Sequence, residues 1–179
     1  MTEPVSAPFL YVVVCAAGIA DGVGTLLDGA RAAGWDVGVI ATPTALGGFF
    51  DVAAVEERTG RPVRSAWRTP ATPRPFPPPD AIVVAPATFN TVNKWAAGIA
   101  DTLAVATLCE AYGAGVPVVA VPCVNEQLAL HPAYQDSVRR LRGMGVRFAE
   151  GGFRWEAATE LLAQVGADAR GEPVRGTGR

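Results

Sequence analysis

The chain has 179 residues, of which 50% are hydrophobic and 18% are charged, and its formal net charge is -2. These values are ordinary for one packed globular domain, and they exclude the basic footprint of a protein that binds nucleic acid or an anionic membrane. No apolar run reaches the roughly 18 residues of a membrane span, and no basic segment precedes the first apolar run. We therefore expect a soluble, cytoplasmic protein with one domain at 1–167 and a disordered tail at 168–179.

The three cysteines, Cys15, Cys109 and Cys123, are widely spaced and form no CxxC pair. An odd number of isolated cysteines is not typical of a disulfide framework or a zinc site. We expect reduced thiols and no metal site. Cys15 stands at the end of a predicted strand, where a buried structural thiol is the simplest interpretation.

Apolar, β-branched runs alternate with segments of helical periodicity along the chain. The apolar runs predict strands at 9–15, 36–41, 81–85, 116–121 and 145–148, with Pro86 ending the third strand. The helical patterns lie at 22–34, 48–59, 92–112, 135–144 and 155–165. This alternation predicts an α/β fold in three layers, a doubly wound parallel sheet of the flavodoxin or Rossmann type.

Residues 61–80 form a Pro-rich loop that interrupts this alternation, since the segment RPVRSAWRTPATPRPFPPPD holds seven of the chain's 15 prolines. Such a composition allows neither a helix nor a central strand, so we predict an extended surface loop. Long loops in compact domains are often functional. Trp67 in this loop either covers a planar ligand or anchors the loop.

Four short segments follow predicted strands and are rich in small, polar, proline or glycine residues. They are AAGIADG, TPTALGG, PATFNT and PCVNEQ. Ligands of doubly wound sheets bind beyond the carboxyl ends of the strands, so one crevice could collect all four segments. The first segment lacks GxGxxG, which excludes the dinucleotide fingerprint, but a turn through Ala17, Gly18 and Ile19 either binds phosphate or merely packs closely.

Polar side chains follow the second and third predicted strands. Thr42 and Thr44 either bond a ligand's oxygens or cap a turn. Thr88, Asn90 and Thr91 are rich in donors and acceptors, and we expect Asn90 or Thr91 to cap the following helix. In that helix, Trp95 belongs to an apolar stripe typical of a core or a subunit interface.

Asn125 and His131 are the polar candidates after the fourth predicted strand. Asn125 either bonds a carboxylate or amide with its donor and acceptor atoms or forms a turn. His131 is the only histidine and precedes Pro132 at the predicted start of a helix, which favours a structural role. The sequence contains no GxSxG, so a serine-hydrolase mechanism is not expected.

Together, these segments resemble the homo-oligomeric flavin-containing cysteine decarboxylases, the family that includes phosphopantothenoylcysteine decarboxylase and peptidyl-cysteine decarboxylases. PATFNTVNKWAAGIADTLA, residues 86–104, is similar to the family's PASANT motif and the helix after it. PCVNEQLALHP is similar to the PxMNxxMW substrate motif, although Val124, Leu128 and Ala129 replace Met, Met and Trp. CAAGIA stands where relatives often have a Gly-Ser-Ile-Ala turn.

The resemblance implies FMN as the cofactor and a trimer, or a dodecamer of trimers, with FMN at a subunit interface. Asn125 would grip the terminal carboxylate or amide of a thiol substrate. The implied flavin-binding residues belong to the turns after four strands: Ala17, Gly18, Ile19, Thr42, Thr44, Thr88, Phe89, Asn90, Thr91 and Cys123.

The chain departs from the family pattern at two functional positions. Relatives carry an active-site histidine before the third strand, whereas the Pro-rich loop contains none and offers Arg68, Thr72 and Arg74 as its nearest polar residues. The coenzyme A branch also uses a cysteine in a late flap, and AEGGFRWEA has no cysteine. The catalytic residue is therefore unassigned.

Three functions are consistent with the sequence. The first is FMN-dependent oxidative decarboxylation of a cysteine-like thiol, with a peptide C-terminal cysteine favoured over phosphopantothenoylcysteine. The second is an FMN-binding member without decarboxylase activity, which serves another redox or partner-binding role. The third is a protein similar to flavin prenyltransferases, which the asparagine in the segment 86–91 makes the least favoured.

Overall fold

The computed structural model describes residues 7–169, and within them five strands form one parallel sheet in the order β2-β1-β3-β4-β5. The strands are β1 (Phe9–Val14), β2 (Asp36–Ala41), β3 (Ala81–Ala87), β4 (Val118–Pro122) and β5 (Arg147–Phe148). The helices are α1 (Val23–Ala32), α2 (Val52–Thr59), α3 (Phe89–Ala97), α4 (Leu103–Gly113), α5 (Glu126–Ala129), α6 (Pro132–Gly143) and α7 (Trp155–Ala169). The predicted doubly wound α/β fold is confirmed.

The sheet separates two apolar cores, because successive side chains of a strand point to opposite faces. Leu10, Val12 and Val14 of β1 belong to a buried cluster with α1 and α7, whereas Phe9 and Val13 belong to the cluster on the opposite face, with α3, α4 and α6. Buried strands without polar alternation are typical of parallel sheets covered on both sides.

The topological switch point lies between β1 and β3. The chain leaves β1 for α1 on one face of the sheet and leaves β3 for α3 on the other face. The two connections therefore diverge and leave a crevice beyond the carboxyl ends of the strands, which is the usual ligand position in such sheets.

The single helix predicted at 92–112 is wrong, because the chain forms α3 and α4 with a turn between them. Gly98 ends α3 with φ of 72°, a left-handed conformation that favours glycine, and Thr102 caps α4 by accepting the amide hydrogen of Val105. The expectation that Asn90 or Thr91 caps this helix is also wrong. Thr88 occupies the N-cap position with an extended backbone, and its side chain makes no capping hydrogen bond.

Several other predicted boundaries differ from the structure. Pro86 does not end β3, because the strand continues to Ala87. The pairing of β3 with β4 shifts register between Val84 and Ala87, around this proline, which has no N–H to donate. Helix α2 begins only at Val52, because Asp51 caps it by accepting the amide hydrogen of Ala54. The last helix continues to Ala169, and the predicted tail from residue 170 onward lies outside the described residues.

The Pro-rich loop forms no helix and no named strand, as predicted, but it is firmly attached to the sheet. Arg64 pairs with Ile40 at the edge of β2 in a short parallel bridge. Phe76 is buried against the rings of Phe9 and Tyr11. The loop thus covers β1 and β2 on the face of the sheet where α3, α4 and α6 do not reach them.

Candidate active site

A cleft of about 600 Å³ lies at the carboxyl ends of the strands, at the switch point between β1 and β3. It collects every binding residue that the sequence predicted except Gly18 and Ile19. The predicted residues that line it come from four different connections and are Ala17, Thr42, Thr44, Thr88, Phe89, Asn90, Thr91, Cys123 and Asn125. We call this space the carboxyl-end cleft.

The turn after β1 reaches the carboxyl-end cleft through Ala16 and Ala17. The carbonyl of Ala17 accepts the amide hydrogen of Ala20, which begins a short 3-10 helix at Ala20–Gly22. Gly18 and Ile19 are exposed and do not line the cleft within a single chain. No atom lies within 4 Å of the position that a Cβ on Gly18 would take. A ligand could therefore approach this turn closely.

The first turn of α3 points at the carboxyl-end cleft with its backbone amides uncapped. Thr88 Oγ1 hydrogen-bonds Thr91 Oγ1 at 3.3 Å and not a backbone amide of the first turn. Such an N-terminus attracts an anion or a carbonyl oxygen through its free N–H groups and its dipole. Asn90 is exposed and Phe89 half-buried at the same edge, so the turn offers both polar and apolar contacts.

Cys15 lies directly behind this turn and is fully buried. Burial raises the pKa of its thiol, and hydrogen bonds with Thr91 and Thr88 offset part of that rise. Thr91 is itself buried. The buried structural role favoured for Cys15 from the sequence agrees with this position, because the thiol supports the α3 turn and does not line the carboxyl-end cleft.

The connection after β2 supplies two threonines to the opposite wall. Thr42 donates its amide hydrogen to Val14 and precedes a 3-10 helix at Pro43–Leu46, and its side chain makes no capping hydrogen bond. Thr44 is exposed at the same wall. Both hydroxyls remain available for a ligand with oxygen atoms, such as a polyol or a phosphate.

Asn125 caps the short helix α5 at the third wall of the carboxyl-end cleft. Its Oδ1 accepts the amide hydrogen of Leu128 at 2.8 Å. This bond uses one lone pair of Oδ1 and leaves the two N–H donors of the Asn125 side chain for a ligand. Cys123 lies beside it, and burial raises the pKa of its thiol.

Sequence reasoning missed Lys94 and Thr102, which also line the carboxyl-end cleft. In an unbroken helix, Thr102 would lie about 16 Å along the axis from Thr91. The turn at Gly98 brings it back to the same wall. Lys94 forms an ion pair with Asp101 across this turn and, among the described residues that line the cleft, is the only charged side chain. Its signal in the sequence is the motif PATFNTVNKWAAGIAD, of which the sequence prediction includes only Thr88, Phe89, Asn90 and Thr91.

No histidine lines the carboxyl-end cleft in the described part of the chain. His131 begins α6 as its N-cap, where Nδ1 accepts the amide hydrogen of Ala133 at 3.1 Å. Its ring packs edge to face with Phe89, with 5.8 Å between ring centroids, and Phe89 lines the cleft whereas His131 does not. The structural role predicted for His131 agrees with this capping bond.

The polar residues of the Pro-rich loop do not replace the missing histidine within one chain. Arg68, Arg74 and Trp67 line a separate, larger cavity on the sheet face, and Arg68 donates to the carbonyl of Thr72 at 3.3 Å. Trp67 therefore covers no ligand in the carboxyl-end cleft. Trp95 is buried in the apolar core on the same face of the sheet, which favours the core interpretation over the interface.

The residues of the carboxyl-end cleft fit a flavin mononucleotide. The volume of about 600 Å³ lies within the usual range of small-molecule sites, about 300–1,000 Å³. Uncapped amides of α3 and unpartnered hydroxyls of Thr42 and Thr44 suit a phosphate and a polyol chain. Phe89, Val105 and Val124 supply apolar surface for a planar ring system.

A family model described as Flavoprotein matches residues 19–163, which is most of the chain. The chain belongs to the flavoprotein family. The match begins after Ala16 and Ala17 and includes all the other residues that line the carboxyl-end cleft, among them the α3 turn and Asn125. Membership supports a flavin cofactor for this chain.

Curated relatives point to the same family. The coenzyme A biosynthesis bifunctional protein CoaBC of Mycobacterium tuberculosis is 39% identical over 113 residues, which are 61% of this chain and 26% of that protein. CoaBC of Thermococcus kodakarensis is 34% identical over 86 residues, 48% of this chain and 21% of that protein. The chain thus spans about a quarter of the length of these relatives.

Solved structures with the same fold include SpaF and TvaF, both described as FMN-dependent cysteine decarboxylases. SpaF is 26% identical with a TM-score of 0.74, covering 90% of this chain and 99% of SpaF. TvaF, from thioviridamide biosynthesis, is 23% identical with a TM-score of 0.76, covering 89% of this chain and 98% of TvaF. A PPC decarboxylase variant, 17% identical, covers 88% of this chain and 97% of its own, with a TM-score of 0.74, and shares the fold.

Within residues 7–169, no helix is both long and apolar enough to cross a bilayer. The same residues contain no group of three or more His, Cys, Asp or Glu side chains arranged to hold a metal ion.

Proposed function

We propose that this chain binds FMN in the carboxyl-end cleft and catalyses the oxidative decarboxylation of a C-terminal cysteine in a peptide. The observation that carries the proposal is the convergence of the turns after β1, β2, β3 and β4 on one cleft, with Asn125 at its wall. Support also comes from SpaF, a similar structure above 25% identity that is described as an FMN-dependent cysteine decarboxylase.

The residues divide into three groups by their chemistry. The phosphate suits Ala17, with Gly18 and Ile19 beside it, and the uncapped amides at the start of α3. Thr42 and Thr44 are suited to the ribityl hydroxyls, and Thr88, Phe89, Asn90, Thr91 and Cys123 to the ring. Bound flavin would supply a two-electron acceptor, which no side chain of the cleft can provide.

The reaction needs that acceptor, because direct loss of CO2 from cysteine leaves an electron pair on a carbon without an electron sink. Removal of two electrons and two protons from the Cβ–S bond of the substrate gives a thioaldehyde. The Cα–carboxyl bond then breaks, its electron pair forms the Cα–Cβ double bond, and the sulfur becomes an enethiolate. Dioxygen or another acceptor must finally take the two electrons for a second turnover.

Asn125 is suited to hold the substrate carboxylate before it leaves. The side chain of Asn125 offers two N–H donors, which match a carboxylate oxygen, while Oδ1 already accepts one hydrogen bond from Leu128. Lys94 adds a positively charged side chain at the same cleft, where its ion pair with Asp101 balances part of the charge. Both features suit an anionic substrate group.

A peptide substrate is favoured over phosphopantothenoylcysteine. In the family that this sequence resembles, the coenzyme A branch returns reducing equivalents through a cysteine in a late flap. Residues 149–157 of this chain contain no cysteine. A peptide product that remains an enethiol does not require this step.

A flavoprotein without decarboxylase activity is the second candidate. The observation that favours it is the lack of a histidine at the carboxyl-end cleft, together with the position of Arg68 and Arg74 in a different cavity. Such a flavoprotein would keep FMN in the same cleft but would catalyse another redox step or bind a partner.

The deciding experiment uses the purified chain loaded with FMN and a peptide that ends in cysteine. We expect anaerobic addition of this peptide to bleach the flavin absorbance, and mass spectrometry to show a product lighter by CO2 and two hydrogen atoms. A matched peptide ending in serine should do neither. A stoichiometric flavin complex that converts neither the cysteine peptide nor phosphopantothenoylcysteine would exclude decarboxylation and favour the second candidate.

We also propose a homo-oligomer, a trimer or a dodecamer of trimers. The resemblance implies this assembly, and the exposed Gly18 and Ile19 beside the carboxyl-end cleft leave room for a neighbouring chain to complete it. Light scattering on the flavin-loaded chain tests the proposal, which a monomeric mass would contradict.

A further inference from the structure

A second cavity, of about 970 Å³, lies between the Pro-rich loop and α4. Its lining includes the guanidinium groups of Arg64, Arg68 and Arg74, a single acidic residue, Glu110, and the indole of Trp67, which is 57% exposed. We call it the arginine cavity. It shares no lining residue with the carboxyl-end cleft.

None of the three arginines is paired with a carboxylate in the described part of the chain. Arg64 donates to the carbonyl of Ala66 at 3.0 Å, and Arg68 donates to the carbonyl of Thr72. Each guanidinium carries five N–H donors, so most of them remain unused. With one carboxylate against three guanidiniums, the lining carries an excess of positive charge, although the chain as a whole is at -2.

The three arginines line the cavity together with Tyr11 and Phe76, which form part of its floor. Burial raises the pKa of Tyr11, the charges of Arg74 and Arg64 lower it, and the charge of Glu110 raises it. Tyr11 donates its hydroxyl hydrogen to the carbonyl of Pro77 at 2.8 Å and packs against Phe76. Arg64 is half-buried beside this partly apolar floor, whereas Arg68 and Arg74 are exposed and free to form charge-assisted hydrogen bonds with a ligand.

The arginine cavity and the carboxyl-end cleft are neighbours on the same structural elements. Ile40 of β2 lines the cavity, and Thr42, two residues later and roughly 7 Å further along, lines the cleft. Leu103 at the start of α4 faces the cavity, whereas its neighbour Thr102 faces the cleft. Since the two linings approach to roughly 7 Å and an extended chain advances about 3.4 Å per residue, at least about two residues would separate a group in the cleft from one in the cavity.

We propose that the arginine cavity binds the acidic side chains of a peptide whose C-terminal residue occupies the carboxyl-end cleft. The inference rests on the proposed function for the placement of the C-terminus. The three guanidiniums would make bidentate bonds to Asp or Glu side chains at least about two residues upstream, while Trp67 covers the backbone between them. A peptide fits better than a small anion, because the cavity of about 970 Å³ is far larger than one small anion and adjoins the cleft at residues 40–42 and 102–103.

The test measures binding and not turnover. The probes are two labelled peptides that end in serine, one with Asp and Glu upstream of its terminus and one with Asn and Gln at the same positions. Fluorescence anisotropy on the flavin-loaded chain should show that the acidic peptide binds at least about tenfold tighter than the peptide with Asn and Gln. This preference should shrink at high ionic strength.

Two variants test whether the arginines of the cavity cause the preference for the acidic peptide. In Arg68→Gln/Arg74→Gln, which leaves only Arg64 of the three arginines, the acidic peptide should lose most of its advantage over the peptide with Asn and Gln. Arg139→Gln is the matched control, since Arg139 is exposed and pairs with Asp136 on α6, away from both sites. This control should keep the full preference.

Equal affinities in the wild-type chain, or a preference that is undiminished in the double variant, would overturn the inference. If the double variant instead changes the mass by light scattering and the wild type has no acidic preference, the cavity is a contact between copies and the inference is wrong. Arginine-dependent peptide binding without any decarboxylation would contradict the proposed function alone.

Discussion

The ring of Phe76 lies against Gly38, at the place where any other residue of β2 would carry its side chain. A Cβ built on Gly38 would approach Cδ2 of this ring to 2.8 Å, closer than carbon atoms tolerate. Gly38 has an ordinary strand conformation, so the glycine is needed for space and not for its backbone angles. The contact fixes the Pro-rich loop to the sheet and so forms the floor of the arginine cavity.

We predict that Gly38→Ala destabilises the chain by about 1–3 kcal/mol, because the new methyl group must displace Phe76 from a packed position. The measurement is the free energy of unfolding in urea. Gly113→Ala is the control, since no atom lies within 4 Å of its Cβ position at the end of α4. That control should be neutral or slightly stabilising. A second substitution, Phe76→Ala, should make the Gly38→Ala effect nearly disappear; full additivity would contradict the direct contact.

The strands were predictable from the sequence, because buried parallel strands consist of continuous apolar runs. The run Asp36–Ala41 coincides with β2, and the run from Phe9 stops one residue earlier than expected. Helix boundaries were less predictable. The periodicity of Val92, Trp95 and Leu103 continues through Gly98, and a left-handed turn at a glycine does not disturb an apolar pattern. The pattern alone could not separate one long helix from two.

The site was predictable where residues directly follow strands, since the carboxyl ends of parallel strands meet at one edge. Thr42, Thr88 and Asn125 therefore lie at the same cleft. Lys94 lies in the second turn of α3, and Thr102 reaches this edge only through the helix break, so no rule on strand ends could find them. The position of Arg68 and Arg74 was beyond sequence reasoning, because a Pro-rich loop has no periodicity that fixes its course.

The break between α3 and α4 should be essential for the wall that Thr102 forms. We predict that Gly98→Ala destabilises the chain by about 1–2 kcal/mol, because alanine is strained at a φ of 72°. It should also weaken flavin binding, measured by titration, since the turn positions both Lys94 and Thr102 at the carboxyl-end cleft.

Two variants control this prediction. Gly98→Asn should lose less stability, because asparagine tolerates the left-handed conformation better than alanine. Gly143→Ala, at the end of α6 with open space around its Cβ position, should leave flavin affinity unchanged. Flavin affinity that is the same in Gly98→Ala and the wild type would show that the turn does not shape the site.

The side chain of Asn125 combines a structural and a binding role that substitution can separate. In Asn125→Asp, an oxygen still accepts the amide hydrogen of Leu128, so the cap of α5 survives. The two N–H donors are lost, and a negative charge replaces them. We predict unchanged folding by circular dichroism and unchanged FMN affinity, with at least about a hundredfold loss of turnover on a cysteine peptide.

Asn125→Ala supplies the comparison, because it removes the cap as well and should lower the free energy of unfolding by about 1 kcal/mol. The two variants should be equally inactive and unequally stable. Activity in Asn125→Asp that approaches the wild-type value would rule out carboxylate binding by this residue.

Protection of cysteine thiols from alkylation can show where the flavin binds. Cys123 lines the carboxyl-end cleft, whereas Cys109 is equally half-buried on α4 but does not line it. Burial raises the pKa of both thiols, so alkylation should be run at or above the ordinary thiol pKa of about 8.5. We predict that FMN slows the modification of Cys123, followed by mass spectrometry, and leaves Cys109 unaffected. Equal protection of both thiols would indicate a general change of stability and not a ligand at the cleft.

Alkaline pH should reveal the buried thiol behind the α3 turn. Burial raises the pKa of Cys15, so above the ordinary thiol value of about 8.5 the unfolded chain loses this proton while the folded chain keeps it. The unfolded state then binds fewer protons, and the free energy of unfolding falls as pH rises. We predict that Cys15→Ser, whose hydroxyl does not titrate in this range, shows a shallower fall between about pH 8 and 10 than the wild type. The comparison uses the slopes of stability against pH, because the substitution also changes the absolute value. Parallel slopes would mean that the Cys15 thiol ionises as readily in the folded chain as in the unfolded one.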